Sequence, residues 1–135
     1  MSTTPGHFEL TVLPARFAIS RLAPTAPVPE WATQGSFSSI TRTRDELSIV
    51  CEHTLVPAEV QSQSGWRVLK VHGPFVLTEI GVLSALVLPL AEARLSVFAI
   101  STFDTDYLLV ASETISAAIT ALERGGHKIH RSQEV

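Results

Sequence analysis

An internal repeat constrains this chain more than any other feature. Ile40-Thr41-Arg42 can be set against Ile100-Ser101-Thr102. Glu46 then falls on Asp106, Leu47 on Tyr107, Ile49-Val50 on Leu109-Val110 and Leu55 on Ile115. The offset is 60 by subtraction (106 minus 46). An apolar run at Phe8–Leu13 lies at nearly the same offset from Trp66–Val71. A period of this size with kept spacing implies two structural units of one kind. The expected division is residues 1–63 and 64–135. Units of about 60 residues bury too little surface to be robust alone, so the halves are expected to fold as one cooperative body.

The second half shows the plan more clearly. Trp66–Val71 is rich in strand formers and Gly73-Pro74 stops it. Val82, Leu83, Leu86, Val87 and Leu90 have helical spacing, which predicts a helix over about Thr78–Arg94. Thr78 is a fitting N-cap and Glu79 suits the positive end of the helix dipole. Pro89 cannot donate to the carbonyl of Ala85, so a kink or local break is expected there. Strands follow at Leu95–Ser101 and Tyr107–Val110, the second apolar on both faces and so central in a sheet. A helix from about Ser112 carries Ile115, Ala118, Ile119 and Leu122 on one face, and Gly125-Gly126 ends it. A tail strand at His127–His130 completes the order β-α-β-β-α-β. This is the ferredoxin-like motif, with an antiparallel sheet and both helices on one face. The fold class expected is therefore α+β, as two ferredoxin-like (βαββαβ) units.

The first unit is degenerate. Arg16–Leu22 occupies the place of the long helix, and Pro24, Pro27 and Pro29 follow within six residues. Such a run cannot be helix interior. It reads as an extended strand and a polyproline-like connector. Leu55–Gln63 is at best a short helix.

Composition removes several functional classes. With 45% hydrophobic and 17% charged residues, the chain can fill a core and is not disordered. The net charge of −3 offers no field to a phosphate backbone, so no nucleic-acid partner is expected. The longest apolar stretch, Val82–Ala91, is too short to span a membrane. No leader is visible before His7. The single cysteine, Cys51, cannot form an internal disulfide and points to a reducing compartment. A cytoplasmic protein without membrane contact is expected.

Nothing in the chain builds a catalytic centre. There is no Gly-x-Ser-x-Gly elbow and no Gly-rich phosphate loop. Cys51 alternates with Leu47 and Ile49, which fits a small core residue. His127 and His130 are three apart, but without a nearby acidic or cysteine ligand they make a poor metal pair. His72, at a strand end, reads as a surface histidine. Asp104 and Asp106 flank a turn, where aspartates bond their own backbone. No catalytic residue, no metal and no cofactor is expected.

Two loops together carry more. Thr78-Glu79-Ile80-Gly81-Val82 opens the first helix, and Ser101-Thr102-Phe103 ends the second strand, which is expected beside the first. A helix start offers free N–H groups to a carboxylate. Gly81 lets a ligand or a backbone approach. Glu79 and Asp106 supply charge for an ammonium group, and Ser101 and Thr102 supply hydroxyls. This set is complementary to a free amino acid. Each residue also has a purely structural reading: Gly81 for helix–sheet packing, Glu79 for the helix dipole.

The stretches Thr78–Leu83, Pro89–Ala93 and Ser96–Val110 resemble the ACT domain. More narrowly, they are similar to tandem ACT-domain proteins related to the CASTOR-type arginine sensors, in which a Gly-Val-Leu helix start precedes a Ser-Thr-aromatic-x-Thr-Asp turn. Phe17–Leu22, Ser39–Thr43 and Glu46–Val50 extend the likeness into the first half. The resemblance implies modules that sense small molecules, mostly amino acids, where a strand–helix loop meets a neighbouring module. On this chain the matching positions are Glu79, Ile80, Gly81, Val82, Ser101, Thr102, Phe103 and Asp106. It also implies edge-to-edge pairing, hence a homodimer. The first unit has Ser20-Arg21-Leu22 in place of the glycine-bearing helix start, so at most one such site per chain is expected. The function expected is non-catalytic, regulatory binding of an amino acid. The alternative is a ligand-free module for protein interaction or dimerisation.

Overall fold

The computed structural model describes residues 7–75 and 81–131. Eight strands and two α-helices follow in the order β1 (Glu9–Val12), β2 (Phe17–Leu22), β3 (Ser39–Arg42), β4 (Leu47–Glu52), β5 (Gln61–Val71), α1 (Val82–Glu92), β6 (Phe98–Ser101), β7 (Asp106–Ala111), α2 (Ile115–Arg124) and β8 (Lys128–Arg131). The fold is mixed α+β, with mostly antiparallel strand pairing. The chain divides into two compact units. One is Ala15–Trp66; the other combines Met1–Pro14 with Arg67–Val135.

In the 15–66 unit, β2 lies between β4 and the first part of β5, and β3 pairs with β4. All three pairings are antiparallel. The prolines at 24, 27 and 29 keep the connection to β3 out of α-helix, and a 3-10 turn at Glu30–Thr33 is its only helical element. The Leu55–Gln63 segment holds the end of another 3-10 turn, His53–Leu55, and the start of β5. Ala32, Leu47, Ile49 and Cys51 form the buried centre, with Trp31 and Leu55 against it.

In the larger unit the strand order is β6-β7-β5-β1-β8. Leu10 and Val12, Leu69 and Val71, and Leu108 and Val110 sit at alternate positions and share one core with α1 and α2. Both helices therefore cover one face. Leu86, Leu90 and Leu122, all fully buried, are the helical side of that core.

Several expectations change. The strand at Phe8–Leu13 was expected to open the first unit, within 1–63. Instead β1 packs in the larger unit, because Leu10 and Val12 complete its core. It pairs antiparallel with β5 and parallel with β8, so the sheet is not purely antiparallel. In the 15–66 unit β2 is the strand beside β4, as β5 is beside β7. The strands β5 and β6 are not neighbours; β7 lies between them.

Three pairs of elements correspond between the halves, one residue away from the expected offset. β3 and β6, β4 and β7, and the 3-10 turns His53–Leu55 and Ser112–Thr114 all correspond at an offset of 59 (106 minus 47) rather than 60. The two hairpin turns show why. Thr43 N–H donates to the Glu46 carbonyl at 2.9 Å, and Thr102 N–H donates to the Thr105 carbonyl at 2.8 Å. In each turn the threonine hydroxyl closes on the same partner residue. Turn chemistry sets the register, and one residue of slip exchanges the faces of a strand.

Pro89 does not break α1, which continues to Glu92. The Ala85 carbonyl, deprived of its helical donor, accepts a hydrogen bond from His127 Nε2 at 3.0 Å.

Candidate functional site

The turn after β6 is built from its own side chains. Ser101 Oγ donates to Asp106 Oδ1 at 2.5 Å, across the last pair of the β6–β7 ladder. Thr105 is buried, and its hydroxyl donates to the Val71 carbonyl at 2.7 Å, which pins the turn to the end of β5. Phe75 N–H donates to the Asp104 carbonyl at 2.8 Å and brings the chain after β5 against the same turn.

Facing this turn is the first turn of α1. Gly81 precedes the helix with φ +87°, a left-handed conformation that disfavours any residue with a Cβ. Among the described residues beyond its chain neighbours, no atom lies within 4 Å of where a Cβ would stand. Backbone conformation, rather than close packing, is what calls for glycine here. Ala85 N–H donates to the Gly81 carbonyl at 3.0 Å and starts the helical ladder. The N–H groups of Val82, Leu83 and Ser84 precede that point and have no intrahelical acceptor.

Between the two turns lies a cavity of about 280 Å³. Of the eight expected binding residues it gathers six: Gly81, Val82, Ser101, Thr102, Phe103 and Asp106. Glu79 and Ile80, like the expected Thr78 cap, lie outside the described residues. Sequence reasoning had not assigned Phe75, Leu83, Ser84, Asp104 or Thr105 to a site, yet they also line it. Ser84 could have been found from its place one helical turn after Gly81. Phe75 could not, since it arrives through a backbone contact.

The chemistry of the cavity is asymmetric. One wall presents helix N–H groups and the positive end of the α1 dipole. The other presents the carboxylates of Asp104 and Asp106 and the hydroxyls of Ser101 and Thr102. Phe103 is 79% exposed at its edge. No lysine, arginine or histidine is among the described lining residues. The arrangement can hold opposite charges at its two ends.

Other candidates fall away. Cys51 is buried, and burial followed by the charge of Glu52 pushes its thiol up. His127 is buried, with Nδ1 accepting from Phe8 N–H at 3.1 Å and Nε2 donating to Ala85, so it shares no site with His130. No helix among the described residues is long and apolar enough to cross a membrane.

Comparison with known proteins agrees with the fold. Residues 61–124 match the ACT domain family, and residues 15–59 match a family described as an N-terminal domain. The human protein named cytosolic arginine sensor for mTORC1 subunit 1 is 33% identical over 110 residues, covering 76% of this chain and 32% of the sensor. The chain thus spans about a third of the curated relatives' length. Protein Atu0741 from Agrobacterium tumefaciens, a crystal structure, is 37% identical with a TM-score of 0.90, covering 95% of this chain and 96% of that one. The ligand-free regulatory subunit of aspartate kinase from Thermus thermophilus shares the fold at 8% identity, with a TM-score of 0.61 over 86% of this chain and 96% of its own. The ACT match runs from the start of β5 to the end of α2 and includes every residue found to line the cavity. This chain is an ACT-domain protein of ferredoxin-like fold, related to the cytosolic arginine sensors.

Proposed function

We propose that the protein is a non-catalytic regulator that binds a free amino acid in the cavity between the α1 start and the 101–106 turn. The observation that carries this reading is that the start of α1, whose first N–H groups have no intrahelical acceptor, and Asp106 line one small cavity. The N–H groups of Val82, Leu83 and Ser84 take the carboxylate. Asp106, with Ser101 on its Oδ1, takes the ammonium group, and the family resemblance adds Glu79 and Ile80 to the binding residues. Phe103 covers the side chain. A cavity of about 280 Å³ is at the small end for ligand pockets and suits one amino acid rather than a nucleotide. Two carboxylates on one wall favour a basic side chain.

The 15–66 unit is read as a reduced module of the same kind, supported by the matching turn and 3-10 elements at offset 59. It has no α-helix among its described residues and hence no second site of this design. Among the described residues β6 pairs with β7 alone. It offers a free edge for a second copy, and light scattering at high concentration should return a dimer mass.

The test is thermal unfolding of the tag-free chain with each of the twenty amino acids. A ligand near 100 times its dissociation constant adds ~2.7 kcal/mol. The expected result is stabilisation by one chemical class, abolished in Asp106→Asn. Failure of all twenty at millimolar concentration overturns the reading and leaves the interaction module.

A further inference from the structure

Glu9, His72 and His130 come together although they are far apart in sequence. Glu9 is on β1 and His130 on β8, adjacent strands in which Thr11 stands opposite His130. His72 follows β5, and its N–H donates to the Glu9 carbonyl at 2.8 Å. Leu10 and Val12 point to the helices, so Glu9 and Thr11 project from the other face of the sheet. Glu9 Oε1 lies 2.7 Å from His130 Nε2 and 3.9 Å from His72 Nδ1. The two imidazoles stack, with centroids 5.2 Å apart and planes 12° from parallel. One donor atom from each of the three residues lies within 4.8 Å of the others.

We propose that Glu9, His72 and His130 form a binding site for a divalent transition metal ion of the zinc class. Two imidazoles and one carboxylate are a zinc donor set, with a fourth position left to water. Tetrahedral zinc places its donors about 3.3 Å apart, between the two separations observed, so small side-chain movements close the site. Thr11 Oγ1 stands 2.6 Å from His72 Nε2. When it accepts a hydrogen bond from Nε2–H it selects the tautomer that leaves the Nδ1 lone pair facing Glu9, as an outer-shell partner does at a metal ligand. Lys128, opposite Glu9 in the ladder, and Lys70, opposite Thr11, flank the cluster. Their charge opposes a dication and places affinity below that of a structural zinc site.

The probe is zinc chloride titrated calorimetrically into tag-free, chelator-stripped protein. One saturable site per chain is expected. His72→Ala and His130→Ala should each weaken it by more than ~10-fold and Thr11→Val by about 10-fold. Cobalt chloride should give the visible absorption of a four-coordinate ion in the wild type only. Histidine modification of the wild type, read by mass spectrometry, needs no variant. Zinc should protect His72 and His130 while leaving exposed His53 reactive. Absence of saturable binding, binding retained by the folded His72→Ala/His130→Ala double variant, or protection of neither histidine overturns the proposal.

Discussion

His127 Nε2 donates to the carbonyl of Ala85 at 3.0 Å, which is the acceptor that Pro89 leaves without a helical partner. The same ring accepts from Phe8 N–H through Nδ1 at 3.1 Å. One buried imidazole therefore satisfies a gap inside α1 and the entry to β1. His127→Phe should cost about 1–3 kcal/mol, because two backbone groups lose their partner. Pro89→Ala restores an N–H one turn beyond Ala85. In that background the penalty of His127→Phe should shrink by at least ~0.5 kcal/mol in a double-mutant cycle of chemical denaturation. Strict additivity would show that the proline and the histidine are unrelated.

Burial, and to a smaller extent the charge of His7, holds His127 below the ordinary imidazole range, against the opposing effect of the Ala85 bond. The unfolded chain takes up a proton near pH ~6.5, before the folded chain does. Its contribution to stability is thus complete above that pH and lost progressively as pH falls toward the lower folded value. Glu52 is held down by the Ser36 hydroxyl and backbone N–H, and Glu9 chiefly by its hydrogen bond to His130. Their contributions persist above about pH 4.5 and disappear only below it. Denaturation midpoints should therefore fall between about pH 6.5 and 5 in the wild type, and that slope should flatten in His127→Gln.

Thr105 ties the cavity wall to β5. Its buried hydroxyl donates to Val71 at 2.7 Å. Thr105→Val keeps the shape and removes the donor, which should cost about 1–2 kcal/mol. Thr105→Ser should recover most of it. Amino-acid affinity should follow the same order, since the turn that carries Asp106 loosens with the bond. Equal stability of the valine and serine variants would assign the effect to packing instead.

What the sequence disclosed and what it concealed divide along physical lines. Periodicity located both helices, because each buries one regular face, and runs of strand-forming apolar residues located the strands at 98–101 and 106–111. The proline run excluded an α-helix from 23–29, since that depends on covalent structure alone. The partner of β1 was not legible. A strand with buried Leu10 and Val12 fits either unit, and only the shape of the core selects one. The offset of 60 failed for a related reason: apolar identities tolerate a slip that the Thr43 and Thr102 turns do not. Around the cavity, Gly81 and the Ser101-Thr102 pair were visible because helix starts and strand ends have sequence signatures. Phe75 was not, because its place depends on a backbone bond to Asp104.

Gly73 and Gly81 flank the same loop and should respond differently to alanine. At Gly81 the added methyl meets no described residue beyond its chain neighbours, but φ is +87°, so Gly81→Ala should cost about 1–2 kcal/mol from backbone strain. Asn, which tolerates left-handed backbone, should cost less than Ala at the same position. At Gly73 the methyl would stand 2.8 Å from the Asp104 carbonyl oxygen. That atom belongs to the 101–106 turn and to the Phe75 bond, so the backbone must move. Gly73→Ala should therefore cost about 1–3 kcal/mol through overpacking and displace the carboxylate wall. Chemical denaturation with and without the stabilising amino acid separates the two cases. Gly81→Asn should keep most of the ligand-induced shift, whereas Gly73→Ala should lose it. The reverse ranking would mean that the α1 start, rather than the turn facing it, tolerates no adjustment.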